Sequence, residues 1–401
     1  LSRCSCHKAL PDKYFYVILK KKLNNYIIIK MKKFLSLFAV AAVAALGFTS
    51  CSDDDDDPQY DVISSSNGVY VLNAGNKKAG VDGSITYLDN NSSAVSQRVY
   101  QTVNGKSLGR TVNDAVTYGS KIYIIGSGEK TIFVANRTSM KEITTIKSEM
   151  PDTEKGNVVA TPRHAVAYRG HVYVSTYNNK VLDIDTLSLK VVRTLDCGNY
   201  SEGMTVQDGY LYTADSDYGN AVGNASISKI NLATGKTEII KNENIVNAVD
   251  IKSYNGRLFY LDSGSYDENW NQSGQGVYEL LADGTSKKLF SATGMTMANG
   301  KIYSYDAPYT NPATTPTFSV YDIAAGESKT FIDGTDIANP CAIAVDAKTN
   351  RVYITSNNLV DGYPSYGTDG YCVVYDLNGV KLNKFTTGVG PSAISFNYDF
   401  K

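Results

Sequence analysis

Short runs in which apolar and polar residues alternate, rich in Val, Ile and Tyr and bounded by Gly and Asn, recur along this chain after residue 66. Such runs predict half-buried strands, and no stretch beyond residue 60 carries the period of an amphipathic helix of ordinary length. One hairpin repeats, roughly A-x-x-x-x-x-G-x-(V/I/L)-Y, followed by a strand that ends in Asp or Asn. Ala115–Tyr123, Ala165–Tyr173 and Met295–Tyr303 show it. Its tyrosine recurs as Tyr70, Tyr123, Tyr173, Tyr212, Tyr260, Tyr303 and Tyr353, at spacings of 39 to 53 residues. That is the period of a four-stranded propeller blade.

Each repeat divides into four strands, here a to d. Blade two is expected over Asp114–Ile146, blade three from His164 to Leu195, blade four from Glu202 to Ile240, and blade five from Asn247 to Phe290. Blade six covers Thr293–Ile332 and blade seven Pro340–Thr387. In blade one, Gly68–Leu72 matches strand b and no strand a precedes it. The missing strand stands at the other end: Gly390–Phe396 matches Asn339–Val345, the first strand of blade seven. The expected fold is therefore all-β, a seven-bladed β-propeller over 67–398 whose C-terminal strand completes the first blade. Closure of this kind removes the open edges of a linear array. The repeat tyrosines fall on interior strands and are expected to pack between blades.

The path of the chain places the d–a and b–c loops on one face. The b–c loops vary in length, which makes them the expected binding loops. They carry Asp215, Asp217 and Tyr218 in blade four, Tyr266 and Trp270 in blade five, Tyr305 and Tyr309 in blade six, and Tyr363 and Tyr366 in blade seven. The d–a segments add Arg163, His164, Tyr200, Glu202 and Asn247. Tyrosine combines a large ring with a polar tip and few rotors, so several on one face suit ligand binding. Trp270, the only tryptophan, is either a contact residue or a plug packed under its own loop. Arg163 and His164 either touch a ligand near the axis or hydrogen bond to a loop carbonyl. His171, in the a–b turn of the other face, is expected to be solvated.

The N-terminus bears on location. Met31-Lys-Lys is followed by an apolar run from Phe34 to Phe48 and then Thr49-Ser50-Cys51. The run is too short to span a bilayer stably and has the flanks of a cleavable export signal over 31–50. Cys51 after small residues resembles a bacterial lipobox, with an ordinary signal peptide as the alternative. Residues 1–30 read as a spurious upstream extension. Asp53–Asp57 make 51–66 an extended acidic tether. Its Cys-Ser-Asp run resembles the surface-export signal of Bacteroidetes lipoproteins, against a plain spacer on a periplasm-facing one. The resemblance implies the outer membrane, lipid-anchored at Cys51, facing out.

The chain holds 39 Lys and Arg against 40 Asp and Glu. Residues 1–50 take away nine basic groups and one acidic one, so 30 and 39 remain, a net of −9. No basic stripe survives, which argues against a nucleic-acid partner. Cys341 and Cys372 fall on strands a and c of one blade, about two strand spacings or roughly 9–10 Å apart, beyond disulfide reach. No metal-ligand spacing and no cofactor motif is present. Enzyme signatures are missing too: Gly126–Thr131 sits in a hairpin without the helix that a phosphate loop needs. Asp215 and Asp217 could serve a hydrolase or lyase only with a facing carboxylate about 5–10 Å away. Asp185-Thr186-Leu187 resembles a Bacteroidetes O-glycosylation triplet.

The Tyr70–Asn73 opening and the Tyr-Asp strand ends at Tyr321 and Tyr375 resemble the YncE-like, YVTN-type propellers, and more narrowly the DUF5074 lipoproteins of Bacteroidetes, over nearly all of 67–398. Among these, BtuG-type proteins capture cobalamin on one propeller face and pass it to an outer-membrane transporter. The resemblance implies a non-enzymatic capture protein for a corrinoid or a similar small molecule, attached to the membrane only through its lipid. A glycan-binding or protein-interaction platform is the alternative.

Overall fold

The computed structural model describes residues 62–152, 156–217, 223–310 and 313–401. The export signal, Cys51, most of the tether and Tyr218 lie outside them. The described chain forms seven four-stranded antiparallel sheets in a ring, the seven-bladed propeller expected. In blade one, strand b (Ile63–Asn73) pairs on one side with strand c (Ser84–Asp89) and on the other with the C-terminal strand a (Pro391–Phe400). The sheet is longer at both ends than 67–398, running from the Ile63–Phe400 pair. Two bulges interrupt the register between Ile63 and Val69, so the polar run Ser64–Asn67 hides a strand that pattern reading stops short of. Asp399 ties it down by accepting from Ser65 Oγ (2.7 Å), Asn67 Nδ2 (2.9 Å) and Arg137 of blade two.

The repeat tyrosines are buried and fill the blade interfaces. Tyr123 packs on Val172 and Leu182 of blade three, and Tyr353 on Val69 and Leu88 of blade one. Blade five departs by one residue. Its a–b turn, Asn255-Gly256, aligns Arg257 with Lys301 of blade six, so Phe259 and not Tyr260 occupies the repeat position. Phe259 packs towards Ile302 of blade six, while Tyr260 faces blade four and stacks on Tyr278 at 5.2 Å. A one-residue slip reverses the face in a strand of period two.

Strand-end acids and amides have a structural task. Asp215, fully buried, accepts from the hydroxyls of Ser201, Thr213, Ser226 and Ser228 at 2.6–2.9 Å. Asp262, in the same place of blade five, accepts from the backbone of Val246, Asn247 and Gly264. Both brace the d–a and b–c loops from beneath. Asp215→Ala strands four buried hydroxyls, and we expect a loss of about 3 kcal/mol or more in urea unfolding.

Three short hairpins and one helix escaped the sequence reading: Glu149–Asp152 with Gly156–Val159, Ser265–Tyr266 with Gln272–Ser273, Leu359–Val360 with Tyr363–Pro364, and helix Val99–Asn104. Each is too short to carry a period. His171 is not simply solvated: its Nδ1 lies 2.6 Å from the buried Asp183, which also accepts from Arg193 Nε at 2.6 Å. Cys341 and Cys372 are unlinked, on strands a and c as expected. Thr186 is buried, so its hydroxyl is not offered for modification.

Candidate functional site

The b–c and d–a loops share one face and hydrogen bond to each other in successive blades: Tyr177 N to Thr161 O, Ser216 N to Tyr200 O, and Ser263 N to Asn247 O. Just below them, strand a carries a bulge in six blades, blade six alone having continuous register. A bulge leaves residues out of the ladder and re-aims their side chains. The skipped positions include Asn113, Arg163, His164, Glu202 and Cys341. Residues that would alternate in a regular strand are thereby brought to one rim.

On blades two to four the rim is ionic. Glu202 receives Arg163 Nε at 2.9 Å and Nη2 at 3.3 Å, the Tyr177 hydroxyl, and His164 Nε2 at 3.4 Å. His164 Nδ1 lies 3.3 Å from Asp114, which also accepts from Ala165 N across the blade boundary. The guanidinium of Arg163 covers the Tyr177 ring at 4.5 Å, and Tyr177 meets Tyr200 edge to face at 5.4 Å. Burial opposes charge on His164, but hydrogen bonds to Asp114 and Glu202 and their Coulombic pull win, raising it to about 9. Burial likewise opposes charge on Glu202, and His164 with Arg163 holds it below the ordinary carboxylate range. Gly203 permits the close approach of blade five, since a Cβ there would stand 2.8 Å from the Asp250 Cα. Asp114 and Tyr177 escaped the sequence reading: an Asp opening a strand and a Tyr in a tight turn carry no motif. Two carboxylates do face each other here, but across an imidazole that fills the gap.

On blades five to seven the loops are aromatic. Every exposed aromatic among the described residues lies here: Tyr266, Trp270, Tyr309, Tyr363 and Tyr366. Tyr305 does not join them. It belongs to strand b (Lys301–Asp306), is buried, and donates its hydroxyl to Cys341 O at 3.0 Å. The expectation for Tyr305 is corrected: a period-two reading placed the strand end too early, and the ring is core.

Trp270 is 62% exposed and therefore no plug. It sits at φ 65°, a backbone region that bulky residues rarely enter. Asp267 fixes this turn, accepting from Asn269 N and Asn271 N (2.9 and 2.7 Å). Tyr266 lies 6.4 Å from the indole. Gln272 joins blade five to blade six, its backbone N–H donating to Tyr309 O at 2.7 Å and its side-chain oxygen accepting from Tyr309 N at 3.1 Å. Asn76 of blade one donates to Tyr366 O at 2.6 Å. The arc from blade five round to blade one is thus cross-braced at both ends. Away from it, on the a–b face, a cavity of about 510 Å³ is lined by apolar residues including Val116, Tyr168, Phe396 and Phe400.

Among known proteins, the family described as a domain of unknown function, DUF5074, matches residues 67–158, which span blade one without its closing strand and blade two. No curated protein matches. Among solved structures, a hypothetical selenium-binding protein from Sulfolobus tokodaii is similar with a TM-score of 0.59 and 11% identity, covering 85% of this chain and 96% of its own. Hydrazine synthase from Kuenenia stuttgartiensis is similar with a TM-score of 0.53 and 12% identity, over 71% of this chain and 89% of its own. At these identities the likeness is one of fold.

Proposed function

We propose that this chain is a non-enzymatic, YncE-like surface lipoprotein of the outer membrane, of the BtuG-like kind found in Bacteroidetes. It would be anchored at Cys51 and capture a bulky small molecule, a corrinoid first among candidates, for hand-over to an outer-membrane transporter. The carrying observation is the segregation of all exposed aromatic rings among the described residues onto three consecutive loops of one face. Strain at an exposed Trp270 supports the same reading, since costly backbone geometry persists where surrounding structure or function holds it. The ionic rim supports binding over acid–base chemistry, because its carboxylates are engaged by Arg163 and His164.

Calorimetric titration of residues 58–401 with cyanocobalamin tests this. We expect one-to-one binding, weakened at least tenfold, or about 1.4 kcal/mol, by Trp270→Ala or Tyr309→Ala. Unfolding stability should stay within about 0.5 kcal/mol, as for exposed positions. No heat with cyanocobalamin or cobinamide would reject the corrinoid and shift weight to glycans, for which the same rings offer stacking faces.

A further inference from the structure

The aromatic arc is electrically uneven. At its blade-five end stand Asp267 and Glu268, both exposed. The blade-six loop, from Ala307 to Pro316, contains no charged residue. At the far end the b–c loop of blade one brings Lys77 and Lys78 to the same face, both exposed at the tip of a turn. That turn is rigidly placed. Asn76 Oδ1 accepts from Ala79 N at 2.9 Å, Asn76 and Val81 bond to each other through their backbones, and Asn76 Nδ2 reaches Tyr366 O at 2.6 Å. Gly367, next to Tyr366, runs close to Ala79: a Cβ added at Gly367 would stand 3.6 Å from the Ala79 Cβ.

Neither lysine has a carboxylate within ion-pair distance among the described residues. Asp82, the acid of the same loop, is held by Ser107 Oγ (2.7 Å) and Arg110 (3.7 Å). Elsewhere on this face Arg163 is committed to Glu202, and Lys130 donates to Thr161 Oγ1 at 2.6 Å. Lys288, which reaches the base of the blade-five loop, donates to Gly274 O. Lys77 and Lys78 are therefore two adjacent, exposed lysines without an ion-pair partner among the described residues, on a turn whose backbone is braced to the Tyr366 loop.

From this juxtaposition we infer that Lys77 and Lys78 form an anion-binding edge of the aromatic face. The captured molecule then combines a flat, largely apolar body, laid on Trp270, Tyr309 and Tyr366, with a phosphate, sulfonate or carboxylate group at its blade-one end. The inference deepens the capture reading and rests on it. Charge attraction between exposed groups is screened by salt, so the anionic contribution is largest at low ionic strength.

Two porphyrins of one shape and opposite charge test it: tetrasulfonatophenylporphyrin and tetra-N-methylpyridylporphyrin, titrated against the mature chain at low and at physiological salt. The Lys77→Gln/Lys78→Gln double variant should bind the sulfonated ring about tenfold more weakly at low salt. It should bind the cationic ring as well as, or better than, the unaltered protein. Trp270→Ala should weaken both. Equal loss for both rings, no loss for either, or no porphyrin binding by a protein that still binds cyanocobalamin overturns the inference alone. Failure to bind either porphyrin or cyanocobalamin removes the capture reading with it.

Discussion

Removal of residues 390–401 should leave a chain that does not fold to a monomer with a cooperative transition. Strand a of blade one is the innermost strand of its sheet and comes from the opposite end of the chain. Through it the ring closes: it packs against the first strands of both neighbouring blades. Thr117 donates to Phe396 O at 2.8 Å from one side, and Thr355 to Pro391 O at 2.6 Å from the other. Its loss exposes the hydrogen-bonding edge of Ile63–Asn73 and uncovers Val69, Val71 and Tyr353, which are fully buried. Three buried side chains uncovered at about 1.5–3 kcal/mol each approach the 5–15 kcal/mol that stabilises a typical domain. The lost ladder and the exposed edge add to this. Gel filtration and circular dichroism of the truncated chain would show aggregation or a broad, non-cooperative melt. A sharp transition from a monomeric species would show that the other six blades stand without the closure of blade one. Asp399→Ala is the graded version: it removes the clamp to Ser65, Asn67 and Arg137 but keeps the strand, and should cost only about 1–2 kcal/mol.

What the sequence made legible was whatever the repeat enforces. The blade count, the strand borrowed from the C-terminus and the shared face of the b–c and d–a loops follow from a hairpin seen seven times. Errors arose where a single residue decides. Tyr260 looked like the repeat tyrosine because the repeat position holds Phe259 and a tyrosine follows it, and only the position of the Asn255-Gly256 turn separates them. Tyr305 looked like a loop residue because a strand's last turns of alternation resemble a polar loop. The rim was legible only in part. Arg163, His164 and Glu202 stood out by residue type, but their meeting depends on bulges that leave no sequence signal. Asp114 from blade two and Tyr177 from the b–c loop of blade three complete that cluster, and nothing local marks them. The aromatic loops were legible by composition, whereas the bracing that joins them, through Asn76 and Gln272, depends on contacts between loops far apart in sequence.

Glu202 is the residue on which the ionic rim turns. It is buried and receives Arg163, His164 and Tyr177 together. Glu202→Ala leaves a guanidinium and an imidazolium side by side without their shared countercharge. Breaking a fully buried pair costs about 3–5 kcal/mol; Arg163 and His164 retain some water, so we expect about 2–4 kcal/mol. The same cluster imposes a pH dependence on the intact protein. His164 has its folded value raised from 6.5 to about 9, so its protonated form is bound more tightly in the fold than in the unfolded chain. The resulting stabilisation is fully present below pH 6.5 and is lost as pH rises through about 9. Glu202, held below its usual 4.5, acts in the opposite sense: its contribution is present above that value and disappears on further acidification. Between the two, at mildly acidic pH, the rim is at its strongest. Because the imidazole is a third exposed, solvent screening reduces the His164 contribution to about 1–2 kcal/mol. Urea unfolding at pH 6 and pH 9 should differ by that amount in the unaltered protein and by much less in His164→Gln. A pH dependence that survives the substitution unchanged would assign it to other groups and leave the Asp114–His164–Glu202 bridge without an energetic role.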